Sequence, residues 1–154
     1  MIRIAENLAR RIRVDAEAAW PEECCGLLVG RDGDGGMAVT SLAASPNVAD
    51  PKARRSKKDS FEIDPEIRFR LMRQLAGSND RIVGHYHSHP GRPARPSARD
   101  IEMAFEPQLV WLIVGVEDGR AGEITAWRLD RESLAAQALK MVIDRGLIKT
   151  LDSL

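Results

Sequence analysis

Residues Gly84–Asp100 read GHYHSHPGRPARPSARD and hold all three histidines of the chain, within five positions. Side chains alternate across an extended segment, so a strand over Arg81–His87 that continued would turn His85, His87 and His89 to one face. Any two of them, or all three, would then reach one ion. Pro90 predicts that the strand breaks after His89 and that the last imidazole arrives from a loop. Pro90, Pro93 and Pro96 force that loop, and Ser97 begins a short helix over about Ser97–Phe105. Plain readings exist for each part: histidines cluster on surfaces, and Ser97-x-x-Asp100 is also a helix-capping pattern. The combination is more telling. Two imidazoles and one carboxylate give three N/O ligands, which suits zinc and leaves its fourth tetrahedral position open for chemistry. A structural zinc is normally closed by four ligands rich in cysteine, and Cys24 and Cys25 lie far away in another element.

Outward from this stretch, strands and helices interleave. Leu8, Ile12, Ala16 and Ala19 recur at helical spacing over residues 5–19, and Pro21 ends that helix. Cys24–Gly30 (CCGLLVG) and Met37–Ala44 flank a turn cluster and read as a hairpin. Asp64 caps and Pro65 opens a helix that aligns Ile67, Leu71 and Leu75. Leu109–Val116 (LVWLIVGV) is too apolar for a one-sided strand and belongs at the centre of a sheet, paired with Gly122–Leu129. Over Arg131–Arg145, the spacing of Leu134, Ala138 and Val142 predicts a closing helix. Tight turns between several strands point to a mixed, mainly antiparallel sheet covered by helices, an α/β (α+β) arrangement.

The chain has 154 residues, 23 Lys+Arg against 23 Asp+Glu, and 44% hydrophobic residues. One domain is expected, large enough to fold without disulfide or structural metal. Balanced charge argues against a general nucleic-acid binder. Charges among the first 20 residues interrupt any signal-peptide core, and eight apolar residues cannot span a bilayer, which takes about 20 in a helix. Cys24 and Cys25 are adjacent, hence poor disulfide partners, and read as small core residues of a cytoplasmic protein. Ser45–Ser60, with Lys52, Arg54, Arg55, Lys57 and Lys58, reads as a solvated loop, a partner-docking loop being the alternative.

His87-Ser-His89-Pro90, six residues, then Ser97-Ala-Arg-Asp100 is the H-x-H-P-x6-S-x-x-D pattern, and on these residues the chain resembles the JAMM (MPN+, JAB-type) zinc metallopeptidases. Glu23-Cys-Cys-Gly26 matches the family's glutamate before a strand glycine, so Glu23 rather than Glu22 is the counterpart. Asn47–Pro51 and Phe61–Pro65 resemble segments of short prokaryotic members. The resemblance spans about residues 2–129, and the last 25 residues match least. It implies a curved sheet of the cytidine-deaminase-like kind, one Zn2+ per chain held by His87, His89 and Asp100, zinc-bound water as nucleophile, Glu23 as general acid/base and Ser97 as an aid to the transition state. His85 is left as a cleft-lining or ligand-steadying neighbour, or as a histidine with no role, and Tyr86 as core. The substrate implied is a ubiquitin-like or sulfur-carrier protein cut after its C-terminal Gly-Gly, with no nucleic acid or membrane partner; a homodimer is compatible. The rivals are a catalytically silent scaffold and another zinc hydrolase. A nucleobase deaminase among the latter would need H-x-E and P-C-x-x-C, which are absent.

Overall fold

Alternating and continuous apolar runs become one eight-stranded sheet in the computed structural model, which describes residues 1–50 and 56–145. In chain order its elements are β1 (Ile2–Ala5), α1 (Glu6–Ala19), β2 (Cys25–Gly33), β3 (Gly36–Ser45), α2 (Pro65–Leu75), β4 (Arg81–Pro90), α3 (Ala98–Glu102), β5 (Val110–Glu117), β6 (Arg120–Asp130), β7 (Ala135–Leu139) and β8 (Met141–Asp144). The strand order is β7-β6-β5-β4-β2-β3-β1-β8. Neighbours are antiparallel at β2–β3, β2–β4, β5–β6 and β6–β7, and parallel at β4–β5, β1–β3 and β1–β8. The expected mixed, mainly antiparallel sheet is what forms. Only Lys140 separates β7 from β8, yet these strands end the two sides of the order, so the sheet curls until its edges nearly meet. The Lys140 carbonyl accepts from Ile2 N at that seam (2.8 Å).

The apolar stripe of α1 explains the larger core. Leu8, Ala9, Ile12 and Ala16 are buried against the sheet face that carries Ile2, Ile4, Leu28, Tyr86, Leu112 and Val114. Burying such side chains contributes roughly 1.5–3 kcal/mol each for the larger ones. β5 is buried on both faces from Val110 to Val114, as its unbroken apolar run requires. Its opposite face carries Trp111, which packs with Ala104 and Leu129 in a second cluster. The site lies on that second face.

Two local devices set the register of β4. Leu28 pairs with Gly84 but Val29 with Ile82, so Val83 is an extra residue and the strand bulges there. Beyond the bulge, His85, His87 and His89 share one face, while Tyr86 and Ser88 face the core side. Gly84 is required by a close approach, since a Cβ would run into the Val110 carbonyl of β5.

The structure differs from the sequence expectations in three places. The closing helix over Arg131–Arg145 is absent: a turn, then β7 and β8, occupy it. Leu134, expected in a buried stripe, is 70% exposed and has φ 53°, which no helix accepts. Leu139, Met141 and Ile143 pack on the core instead, and β7 and β8 cover the edges of β6 and β1, whose backbone groups a helix would leave unpaired. The strand also does not break before Pro90. β4 runs through His89, and both imidazoles come from one strand. β1 was unforeseen, its four residues being too short for a periodic signal. Of the Lys52–Lys58 loop, residues 52–55 lie outside the described residues; Lys58 is exposed, but the Lys57 carbonyl accepts from Glu23 N (2.7 Å) and Ser60 is buried. Among the described residues, no helix is long and apolar enough to cross a membrane.

Candidate active site

The face of β4 beyond the bulge presents His87 and His89, both buried, with their Nε2 atoms 3.0 Å apart. The next turn of chain after the proline loop brings back Asp100. Its Oδ2 lies 3.1 Å from His89 Nε2 and its Oδ1 3.3 Å from His87 Nε2. Asp100 is fixed by a capping box: Ser97 N donates to Asp100 Oδ2 (2.9 Å) and Asp100 N donates to Ser97 Oγ (3.1 Å). The helix-capping reading of Ser97 and Asp100 is therefore true, and it also aims the carboxylate at both imidazoles.

Glu23 arrives from the end of β2. The last ladder pair is Cys25 with His87, and Ser88 continues it by side chain, its Oγ accepting from Cys24 N (2.8 Å). One residue further, Glu23 is 2% exposed with Oε1 3.9 Å from His87 Nε2. Asn47 holds the same point from the other side. Its Nδ2 donates to the carbonyls of Glu23 (3.2 Å) and Ser60 (3.0 Å), and its Oδ1 accepts from Ala49 N and Glu62 N. Phe61, carried by that loop, stacks on His87 with ring centroids 4.3 Å apart. The structure thus brings Glu23, His87, His89, Asp100 and Ser97 together.

Sequence reasoning missed Ser88, Asn47, Phe61 and Arg92. Ser88 and Arg92 sit inside the quoted histidine stretch, and Asn47 and Phe61 each open a segment already singled out. Single residues carry no period, however, and the contacts that tie them to the site, such as Ser88 with Cys24 and Arg92 with Glu23, are long-range.

Electrostatics follow burial. Burial pushes the Glu23 carboxyl from 4.5 up to about 8, against the Arg92 guanidinium beside it. Burial alone would raise Asp100 as well, but His87, His89 and the Ser97 N–H outweigh it and hold that carboxyl well below its usual range. Burial lowers His87, and it lowers His85 to about 3, which keeps these imidazoles neutral and able to ligate. His85 packs edge-on to Trp111 at 4.2 Å and lines a cavity of about 360 Å³ with Phe61 and Asp100, so it borders the site. Tyr86 is core, its hydroxyl donating to Asp15 (2.8 Å). Cys24 and Cys25 are free and buried, and burial lifts both thiols to about 12.

The donor set fits a cation. His89 Nδ1 lies 2.9 Å from the Pro93 carbonyl, which takes the ring proton and leaves a lone pair on Nε2. That lone pair faces a carboxylate oxygen at 3.1 Å, two acceptors that repel unless a proton or a metal ion lies between them. Glu23, His87 and His89 also place one ligand atom each within 4.8 Å of one another, so this group could hold a metal.

Comparison with known proteins shows the family. The family described as prokaryotic homologs of the JAB domain matches residues 5–130. The chain is 33% identical over 115 residues to the desampylase of Haloferax volcanii, covering 75% of this chain and 77% of that one. It is 23% identical over 140 residues to the CysO-cysteine peptidase of Mycobacterium tuberculosis, 90% of each chain. A crystal structure of a JAB1/MPN domain protein from Archaeoglobus fulgidus aligns with TM-score 0.56 at 19% identity, covering 91% of this chain and 98% of that one, which bears on the fold alone. With its fold, its H-x-H-P-x6-S-x-x-D residues gathered at one site and a family match across most of its length, this chain belongs to the prokaryotic homologs of the JAB domain.

Proposed function

We propose that this chain is a zinc-dependent peptidase or isopeptidase that hydrolyses the amide bond after the C-terminal Gly-Gly of a ubiquitin-like or sulfur-carrier protein, in the cytoplasm. The observation that carries this reading is the convergence of two imidazoles and two carboxyl groups, those of His87, His89, Asp100 and Glu23, on one buried face. Similarity to a desampylase and a CysO-cysteine peptidase supports the substrate class.

In this reading His87, His89 and Asp100 would hold one zinc. Asp100 suits that role better than Glu23 because its oxygens reach both Nε2 atoms within 3.3 Å, whereas Glu23 stands off at 3.9 Å. A zinc ion held there would lower the pKa of water to about 7 and polarise a carbonyl. Glu23 would take the proton of the attacking water in its ionised form and return it to the departing amine, and a carboxyl whose pKa is raised toward neutral pH suits both halves of that task. Ser97 Oγ accepts from Asp100 N and keeps its own proton to donate to the oxyanion. A Gly-Gly tail, free of side chains, fits beside such a closed-in site laid along a strand.

The test is direct. Zinc-loaded protein is incubated with candidate carriers extended beyond Gly-Gly, and the products are weighed by mass spectrometry. A mass loss that ends the carrier at Gly-Gly is expected; intact carriers throughout would contradict the proposal.

A further inference from the structure

The loop joining β4 to α3 carries two arginines and no acidic residue, Pro90-Gly-Arg-Pro-Ala-Arg-Pro-Ser97. Arg92 turns inward. Its Nη2 is 3.4 Å from Glu23 Oε2, and neither atom makes a hydrogen bond among the described residues. An open cleft of about 440 Å³ is lined by His89, Arg92, Pro93, Arg95, Pro96 and Ser97. A cationic wall therefore adjoins the proposed ligand His89 and the proposed donor Ser97. A guanidinium partly withdrawn from water is ordinarily fully hydrogen-bonded, so Nη2, buried in a long ion pair with Glu23 and without a hydrogen bond among the described residues, has donor capacity left beside the site.

Which side of the scissile bond it serves follows from Glu23. The leaving nitrogen collects its proton from that carboxyl, so whatever surrounds Glu23 surrounds the leaving group. In an amino acid joined through its α-amine, the carboxyl carbon sits about 2.5 Å from the nitrogen. That places an α-carboxylate beside Arg92, whose planar fork can bind it while still facing Glu23. In an isopeptide through a lysine side chain, the lysine carboxyl is at the far end of the side chain and is itself an amide.

We propose that Arg92, flanked by Arg95, is a specificity residue that reads the free α-carboxylate of an amino acid attached to the carrier's terminal glycine, so that the preferred leaving group is a single amino acid. The assignment rests on the hydrolase reading above. The glycine C–N bond breaks, a C–O bond forms to the oxygen of water, and Glu23 carries the proton of that water to the α-amine.

The experiment compares two carriers, one ending Gly-Gly-Ala as the free acid and the other ending Gly-Gly-Ala amide. Wild type is expected to favour the free acid by about tenfold or more in kcat/KM. Arg92→Ala brings that ratio to about one, and Arg92→Lys keeps part of it. Titration calorimetry on metal-free protein, where no hydrolysis occurs, shows the same preference in Kd and the same loss in Arg92→Ala. Equal use of both carriers by wild type would overturn the assignment, as would an Arg92→Ala protein that is slower on both with the ratio preserved. If zinc-loaded wild type cleaves neither carrier, the hydrolase reading fails, and the calorimetric preference then decides for or against Arg92 by itself.

Discussion

At Glu23 a carboxyl sits where water barely reaches, and the consequence is measurable without any substrate. The folded carboxyl keeps its proton up to about 8, whereas an unfolded one releases it near 4.5, so between these values the folded state binds more protons. The Glu23 contribution to the stability of the metal-free protein therefore falls as pH rises through that window, by on the order of a few kcal/mol, while the lowered His85 and His87 work the other way below about 6.5. Urea unfolding from pH 5 to pH 8 should therefore show wild type losing stability relative to Glu23→Gln; parallel curves for the two would contradict the burial argument. Ser97 separates into two roles at the same scale. Losing its cap costs about 1 kcal/mol of stability, whereas losing an oxyanion donor costs roughly 3–4 kcal/mol in kcat. Ser97→Ala is expected to lower kcat far more than its melting temperature suggests, and a change confined to stability would leave Ser97 as a cap only.

Elements were legible where a period or a terminator ran long enough. α1 followed from Leu8, Ile12 and Ala16, α2 from the Asp64-Pro65 start, and β5 from its unbroken apolar run. The pattern of His87, His89, Ser97 and Asp100 was legible because its spacing is fixed by one strand and one capped turn. What was not legible depended on distant chain. β7 and β8 stand where a helix was expected because they pair with β6 and β1, the latter distant in sequence, and the contact of Arg92 with Glu23 also joins residues far apart in the chain. Leu134 offers a test of that correction. Its side chain is exposed at φ 53°, a conformation that costs a non-glycine residue roughly 1–2 kcal/mol, while glycine adds about 0.5–1 kcal/mol of chain entropy. Leu134→Gly should be neutral or stabilising by up to about 1 kcal/mol in chemical denaturation. A loss of about 1 kcal/mol, the cost of glycine inside a helix, would favour the helical alternative.

For the whole molecule, the curled sheet acts as a frame that holds two sequence-distant ends against each other: the end of β2 with Glu23, and the end of β4 with His87 and His89. The core needs no metal for this, since the site lies on the sheet face opposite the larger cluster. Zinc should consequently stabilise a protein that is already folded, by about 2.7 kcal/mol at a hundredfold excess over Kd. Chelation should lower Tm while circular dichroism at low temperature stays folded. A chain that unfolds outright on chelation would place the metal in the structure rather than in the chemistry.

The most direct test of the central claim is zinc stoichiometry measured beside turnover in Glu23→Gln and Asp100→Ala. Glu23→Gln is expected to keep about one zinc per chain and lose a factor of about 10²–10⁴ or more in kcat, while Asp100→Ala loses both zinc and turnover. Full turnover in Glu23→Gln, or an Asp100→Ala protein that keeps its zinc while Glu23→Gln loses it, would contradict the account, the latter by making Glu23 the ligand in place of Asp100.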